Sequence, residues 1–296
     1  MKQVLIIGSR NSGPKNDPAE LNRSLVEGGA NSTLIYWEEL ELSIKTGDVK
    51  VAVNGRDAFD PRPDVVICLG WYKNGRDRIY RDVAFAVSQV LTHRGIEFWN
   101  SEMGNQRSTS KLSCLVQLAL NDIPVVPTRF SLSKHLAFNG AELPFVAKAP
   151  AASRGESNHL VETESDAQRL QADDNRYLVQ PFMPNDHDLR VICIGGEPKL
   201  VLERRRSPDN SSHMNNTSQG GSATWLKLED IDPELLTISS KICKIMGREL
   251  AGIDFIPDAS ATVGYSCLEV NAIPQLTSGH DTELKLQALV RAITES

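Results

Sequence analysis

The sequence predicts a mixed protein of helices and strands that opens with a small parallel α/β lobe over about residues 1–100. Three observations predict this class. Short apolar runs alternate with amphipathic stretches, several of the runs end at a glycine or an asparagine, and hairpin patterns follow in the second half of the chain. Strands that alternate with helices at these spacings are typical of a parallel sheet.

The first hundred residues contain four short runs that predict strands and two longer stretches that predict helices. Asp17 followed by Pro18 predicts a helix start, because an aspartate caps free N–H groups and a proline fits the first helical position. Gly8 follows the first apolar run and predicts its end. The predicted strands are residues 4–7, 31–36, 64–70 and 96–100, and the predicted helices are residues 18–28 and 79–92.

The remaining two thirds of the chain predict helices and antiparallel strands. Gly195 and Gly196 lie between two apolar runs and predict a hairpin turn. The predicted helices are residues 108–120, 233–246 and 282–293, and the predicted strands are residues 145–148, 177–180, 189–194, 198–203, 251–256 and 265–271.

The composition excludes several classes of function. The formal net charge of −6 provides no overall basic field, so nucleic acid is not expected as the main partner. No apolar run approaches the roughly 20 residues of a membrane span, and the first residues do not predict a signal peptide. The five cysteines are scattered, which predicts reduced core residues and a cytoplasmic location. Histidines at metal-ligand spacing and a serine-nucleophile motif are absent from the sequence.

The last two predicted strands carry three oxygen-bearing side chains. Side chains alternate along a strand, so Glu269 and Asn271 point to the same face. If the chain folds back near residues 261–262, Asp254 lies opposite both of them. Two carboxylates and an amide are suited to binding Mg²⁺. Both strands are otherwise apolar, so an acidic cluster without a function would be energetically costly there. Taken singly, each residue is more often a solvated strand residue.

The segments 251–255 and 268–274 resemble the metal-binding end of the ATP-grasp superfamily, and most closely its RimK-like carboxylate–amine ligases. The resemblance covers about residues 100–290. It implies an α/β fold of the α+β ATP-grasp type, in which two α+β lobes clasp ATP. It also implies a pre-ATP-grasp lobe over residues 1–100, a central subdomain over 101–178 and a C-terminal subdomain over 179–296 that carries the metal site.

The same resemblance implies residues that bind the nucleotide phosphates. Lys111 and Lys148 match the two nucleotide lysines of the family, and a lysine at such positions neutralises phosphate charge. The polar loop 150–158 resembles the loop that covers the phosphates, with Arg154 and Gly155 as its contributors. Taken alone, each lysine is more often a surface residue.

Residues 178–183 resemble the adenine-binding hinge of the family. Gln180, Phe182 and Met183 are the matching positions. Pro181 stands where the family usually has an acidic residue, and proline removes one backbone donor. The ribose contact is assigned to Asp186 or Asp188, and the sequence leaves both open.

Several basic positions match those that face the reacting groups in the family. Arg190 lies in an Asp-x-Arg strand and is expected to face the transferred phosphate. A run of three arginines ends the next strand, and Arg205 and Arg206 are the candidates from it, although such a run is also typical of a solvated strand end. Asn216 matches an asparagine of RimK-like proteins, whereas Met214 replaces an arginine and puts a glutamate-type substrate in doubt.

The resemblance therefore implies an ATP-dependent ligase that joins a carboxylate to an amine through an acyl phosphate, with ATP and Mg²⁺, or Mn²⁺ in its place, as cofactors. Its partners are ATP, a carboxylate and an amine from an amino acid, peptide or protein. Two alternatives stay open: a non-catalytic ATP-binding module, and an enzyme that modifies one specific polypeptide. The loops 70–78 and 207–218 are candidate substrate segments, and a homo-oligomer is left open.

Overall fold

The computed structural model describes residues 1–69, 78–100, 110–150, 158–206, 221–272 and 274–295. The helices are α1 (Pro18–Glu27), α2 (Arg78–His93), α3 (Lys111–Ala119), α4 (Lys134–Phe138), α5 (Glu164–Ala172), α6 (Pro233–Met246) and α7 (Thr282–Thr294). The strands are β1 (Gln3–Gly8), β2 (Asn31–Tyr36), β3 (Glu41–Lys45), β4 (Asp48–Val53), β5 (Arg56–Asp57), β6 (Val65–Cys68), β7 (Glu97–Trp99), β8 (Arg129–Phe130), β9 (Phe145–Lys148), β10 (Asn158–Val161), β11 (Leu178–Pro181), β12 (His187–Ile194), β13 (Glu197–Arg205), β14 (Ser222–Leu226), β15 (Leu250–Pro257) and β16 (Tyr265–Ala272).

A parallel sheet with strand order β2-β1-β6-β7 forms the N-terminal part, as the sequence predicts. Helix α1 begins where predicted, because the Asp17 carboxylate accepts the N–H of Ala19 and Pro18 occupies the first turn. Strands β1 and β6 are almost wholly buried, which is typical of parallel strands covered on both faces.

Three strands between β2 and β6 were not predicted. Strands β3, β4 and β5 form a separate antiparallel sheet. Most of β3 and the first half of β4 are exposed, so their residues lack the alternation of apolar and polar side chains that would identify them from sequence.

The central part is a sheet with strand order β10-β9-β11-β8, covered by α4 and α5. Its core includes Phe138, which makes edge-to-face ring contacts with Phe145 and Tyr177 at centroid distances of 5.5 and 6.2 Å. The predicted strands at 145–148 and 177–180 are confirmed as β9 and β11, the latter shifted by one residue.

The C-terminal part is an antiparallel sheet with strand order β14-β13-β12-β15-β16. The predicted hairpin is confirmed, and both turn glycines have positive φ, 65° at Gly195 and 80° at Gly196. Helices α3 and α6 pack against this sheet, with Cys114 and Leu118 of α3 in its core. All five cysteines are buried and free, as predicted.

Helix α7 returns to the N-terminal part and packs on α1. The contact is close, because a Cβ added at Gly28 would lie 2.3 Å from Cγ1 of Val290. Leu21 of α1 and Leu289 of α7 belong to one core cluster, which also contains Ile192 of the C-terminal sheet. Among the described helices, none has the length and apolar character needed to cross a bilayer.

Candidate active site

A row of charged side chains crosses the C-terminal sheet through its middle. Three cross-strand pairs form it: Arg204 opposite Asp188, Arg190 opposite Asp254, and Asp254 opposite Glu269. The strands involved are neighbours. Positive and negative charges alternate from Arg204 to Asp254, and Glu269 then places a second carboxylate beside Asp254. These five residues are called the charged row below.

Asp254 is the most strongly held member of the charged row. It is 5% exposed. Nε and Nη2 of Arg190 donate two parallel hydrogen bonds of 2.7 Å to its carboxylate oxygens. Nη2 of Arg204 lies 3.3 Å from its Oδ1. Burial alone would raise the pKa of Asp254, but the two guanidinium groups outweigh burial and lower it to about 2. Asp254 is therefore an anion at neutral pH.

Arg204 and Asp188 form the buried end of the charged row. Each is 6% exposed, and Nε of Arg204 lies 2.5 Å from Oδ1 of Asp188. Burial raises the pKa of Asp188, and Arg204 acts against that rise. The sequence predicted Arg205 or Arg206 as the functional arginine of this run and missed Arg204, although alternation along β13 separates 204 from 205.

Glu269 lies at the other end of the charged row and is half-buried. Nζ of Lys111 is 3.2 Å from its Oε2. Lys111 is the first residue of α3, whose N-terminus is capped by Ser110, so the helix start presents the lysine to the sheet. Nδ2 of Asn271 lies 3.4 Å from Oδ2 of Asp254, which brings the predicted trio together.

A shift in register follows Asp254 along β15. Asp254 pairs with Glu269, whereas Gly252 pairs with Asn271. The expected position of Asp254 opposite Glu269 is thus confirmed, and Asn271 reaches it from two residues farther along the same face.

Lys148 belongs to the central sheet but is electrostatically part of this site. Burial is the main cause that lowers the pKa of Lys148 to about 8. Glu269 and Asp254 act to raise that pKa and Lys111 acts to lower it, so the central sheet faces the charged row here. The two predicted nucleotide lysines therefore act on the same carboxylate.

The loop after β16 is tied to both ends of the chain by residues that sequence reasoning missed. Lys285 is 3% exposed and donates two 2.6 Å hydrogen bonds, to the carbonyl oxygens of Gln275 and Ser278. Burial lowers the pKa of Lys285 to about 8. Thr277 donates to the carbonyl oxygen of Pro14 at 2.7 Å, which fixes the loop on the N-terminal part.

The predicted adenine hinge lies on β11 and just after it. Gln180 is 2% exposed, and its Nε2 donates to Oγ1 of Thr128 at 2.9 Å, while its buried Oε1 has no hydrogen-bond partner among the described residues. The N–H of Phe182 donates to the carbonyl oxygen of Pro144 at 3.2 Å. Met183 follows it, half-buried.

Arg205, Arg206 and Asp186 lie beside the charged row rather than in it. Arg205 is exposed and pairs with Glu203 at 2.6 Å and with Asp186 at 2.9 Å. Arg206 donates to the carbonyl oxygen of Asn185. Nothing in the structure tests their predicted roles, which stay predictions.

Four of the named positions lie outside the described residues. They are Arg154, Gly155, Met214 and Asn216. Most of the candidate substrate loop 70–78 and the whole of 207–218 lie outside them as well.

The family is decided by a sequence match that includes the whole charged row. Residues 108–293 match the RimK-like ATP-grasp domain, which is more than half of the chain. The chain belongs to the RimK-like ATP-grasp family. The match begins just before Lys111 and ends within α7, so the lysines, the hinge strand and the loop held by Lys285 are all parts of the RimK-like domain.

Two relatives are probable alpha-L-glutamate ligases. The one from Aeromonas salmonicida is 30% identical over 202 residues, which are 63% of this chain and 65% of that protein. The one from Maridesulfovibrio salexigens is 27% identical over 201 residues, 64% of each chain. The chain thus matches just under two thirds of the length of these relatives.

Two solved structures resemble the whole chain. The ATP-grasp ligase PsnB, complexed with a minimal precursor, superposes with a TM-score of 0.69 at 17% identity over 99% of this chain and 100% of PsnB. The macrocyclase MdnC from Microcystis aeruginosa, bound with the precursor peptide MdnA, gives 0.68 at 12% identity over 99% and 100%. The predicted ATP-grasp fold is therefore confirmed over the full chain.

Proposed function

We propose that the protein is an ATP-dependent ligase that forms an amide bond between a carboxylate and an amine. The charged row carries this proposal, because it is a largely buried set of paired charges inside a RimK-like ATP-grasp domain. Buried charges in the middle of a sheet are costly unless they are paired. Their presence here supports a site that handles phosphate and metal charge.

The donor set fits a divalent cation. Asp254 and Glu269 are cross-strand neighbours, and Asn271 lies 3.4 Å from Asp254. Their present counter-ions, Arg190 and Lys111, have side chains that are each 21% exposed and can turn toward a bound phosphate. We propose that these three residues hold Mg²⁺, or Mn²⁺ in its place; the ion supplies charge neutralisation at the phosphates when it is bound.

The remaining charges would bind and orient the nucleotide. We propose that Lys111 and Lys148 neutralise its phosphates, with Arg154, Gly155 and Asn216 as further contacts. Arg190 would stabilise the charge that develops on the transferred phosphoryl group, and Arg205 and Arg206 stay candidates for the same task. The substrate carboxylate would attack the γ-phosphate and displace ADP, and an amine would then attack the acyl carbon, lose a proton and displace phosphate.

The hinge would bind adenine through its backbone. Pro181 has no N–H, and the N–H of Phe182 is donated to Pro144, so we assign the adenine edge to the N–H of Met183. Oε1 of Gln180 has no hydrogen-bond partner among the residues that the structure describes, which supports a nearby N–H donor from the base. Of the two ribose candidates, exposed Asp186 is favoured over Asp188, which Arg204 already holds in the core.

We keep the division into a lobe over residues 1–100, a central subdomain over 101–178 and a C-terminal subdomain over 179–296 as part of the proposal. The nucleotide would lie between the last two. Cys114 and Leu118 of α3 belong to the 101–178 span but pack in the core of the C-terminal sheet. This packing supports an overlap of the two subdomains near α3.

An ADP-release screen over amino acids, short peptides and other carboxylates, with mass detection of products, tests this function. The expected result is ADP release that needs both a carboxylate and an amine and yields their condensation product. ATP binding without ADP release across the whole screen would instead support a non-catalytic nucleotide-binding module.

A polypeptide substrate is the second candidate. It is favoured because PsnB and MdnC, which resemble this chain over its full length, were solved with precursor peptides. A pull-down with the full chain, repeated with and without ATP and Mg²⁺, distinguishes the two. Recovery of one polypeptide that then loses the mass of one water, through an internal amide, or gains the mass of an added amine or acid less one water supports a peptide-modifying ligase. Condensation products from the small-molecule screen alone oppose it.

A further inference from the structure

The two arginines that hold Asp254 differ in how firmly they are fixed. The Arg190 side chain is 21% exposed, whereas the Arg204 side chain is 7% exposed. Arg190 makes two hydrogen bonds to Asp254 at 2.7 Å. Arg204 bridges two strands, with Nε on Asp188 at 2.5 Å and Nη2 on Asp254 at 3.3 Å.

This difference becomes important when Arg190 binds a nucleotide phosphate. If Arg190 turns toward a nucleotide, Asp254 loses the pair of bonds that now orients it. Arg204 cannot follow, because it is buried and bound to Asp188. It would remain on Oδ1 of Asp254 and keep the carboxylate in its present orientation.

We propose that Arg204 is a positioning residue that holds the Asp254 carboxylate ready for a divalent cation, with Asp188 as its own anchor. The inference rests on the proposed metal role of Asp254. An ion pair between Arg204 and Asp188 would be enough to compensate both charges in the core, and the further contact to Asp254 is what links them to the site. Groups that orient a metal ligand in this way tune metal affinity.

The shape of the guanidinium explains why an arginine is needed. Its fork lets separate nitrogens face Asp188 on β12 and Asp254 on β15 at the same time. A lysine has a single ammonium group and can satisfy one of the two carboxylates fully. Arg204→Lys therefore keeps the charge and removes the bridge.

The test uses the full chain and measures the dissociation constant of ADP by calorimetry with and without Mg²⁺. The wild-type chain should bind ADP more tightly with Mg²⁺. For Arg204→Lys, we expect the same affinity for metal-free ADP, while the affinity for Mn²⁺, followed by electron paramagnetic resonance with ADP present, falls about ten- to a hundredfold. A merely structural role would not separate these two readouts.

A second variant keeps the test decisive if Arg204→Lys folds poorly. The double variant Asp188→Asn with Arg204→Met removes the buried ion pair as a unit, so no unpaired charge is left in the core. It should show the same loss of metal affinity. Arg94→Gln is the matched control, because Arg94 also pairs with an aspartate, Asp57, at 2.9 Å but lies in the N-terminal part.

The outcomes separate this inference from the proposed function. Variants at 204 that retain wild-type Mn²⁺ affinity, while the wild-type chain depends on Mg²⁺, would overturn the positioning role alone. A wild-type chain whose ADP affinity is indifferent to Mg²⁺ would overturn the metal site and the positioning role together. A loss of metal affinity in Arg94→Gln equal to that at 204 would also count against it.

Discussion

The N-terminal parallel sheet and the C-terminal antiparallel sheet place their charges in opposite ways. Strands β1 and β6 are apolar and almost completely buried, and the nearby Arg94–Asp57 pair lies outside the sheet, with side chains 26% and 40% exposed. The C-terminal sheet carries the charged row through its middle, where Asp188, Arg204 and Asp254 are all nearly buried.

This difference predicts how the loss of one charge affects the stability of each part. A peripheral ion pair in water contributes little to stability, so its loss is cheap. A buried pair must be kept whole, because removing one partner leaves an uncompensated charge. The C-terminal sheet therefore contains fixed charges where a purely apolar core would be simpler to stabilise. Such a departure is typical of a functional site. Four variants and one control can test this contrast.

The largest effect is expected at the exposed end of the charged row. Glu269→Ala should lower the rate of ADP release by about a hundred- to a thousandfold, since one preorganised group that stabilises the charge developing in a transition state typically contributes that much. Its side chain is 31% exposed and its ion-pair partner is Lys111, so the melting temperature should change little.

Glu229→Ala is the control for Glu269→Ala. Glu229 is an exposed carboxylate of the same part of the chain, and within the described residues its ion-pair partner is Lys227. It should retain normal turnover. Normal turnover in Glu269→Ala would show that the predicted metal site is wrong.

The second largest effect is expected on stability. Asp254→Asn leaves Arg190 and Arg204 without their shared anion, and breaking a buried pair of this kind costs about 3–5 kcal/mol. Urea unfolding of the variant and wild type measures it. A loss below about 1 kcal/mol would mean that water reaches the charged row and that the contrast between the sheets fails.

The same pair of proteins gives a pH dependence with a definite sign. The pKa of Asp254 is lowered from 3.8 to about 2 in the folded state. Its stabilising contribution is therefore fully present above the ordinary value and is lost as the pH falls toward 2. The difference in unfolding free energy between wild type and Asp254→Asn should shrink below pH 4, and a difference that grows there would contradict the assignment.

A smaller effect is expected where the two sheets of the domain face each other. Lys148→Gln should weaken ATP binding about ten- to a hundredfold at pH 7, since it removes one charged hydrogen-bond donor. The pKa of Lys148 is lowered to about 8, so wild-type affinity should fall as the pH rises through 8 and the ammonium is lost. Calorimetry from pH 7 to 9 measures both, and the variant should lack most of the pH dependence.

The smallest effect is expected in the N-terminal part. Arg94→Gln should cost about 1 kcal/mol or less, because its pair with Asp57 is partly solvated. Urea unfolding measures this too. A cost equal to that of Asp254→Asn would show that the two parts of the molecule do not differ in the way described.

Much of the fold could be predicted from local patterns. Helix α6 has the bounds expected from its sequence, because Pro233 begins it and Gly247, in the left-handed conformation, ends it. Strands β3 to β5 and β10 could not be predicted in the same way. They are short and mostly exposed or half-buried, so pairing with neighbours rather than sequence periodicity defines them.

The sequence by itself determined that Glu269 and Asn271 share one face, because alternation along a strand is a local rule. Asp254 joins them only through the pairing of β15 with β16. The tertiary structure alone decided that Arg204 rather than Arg205 enters the charged row, and that Lys148 of the central sheet lies near enough to Glu269 for this carboxylate to act on the Lys148 pKa. The reason is register: a slip of one residue in the pairing of β13 with β12 would reverse which arginine faces inward, and that pairing, including its irregularity at Ile192, is fixed by long-range packing.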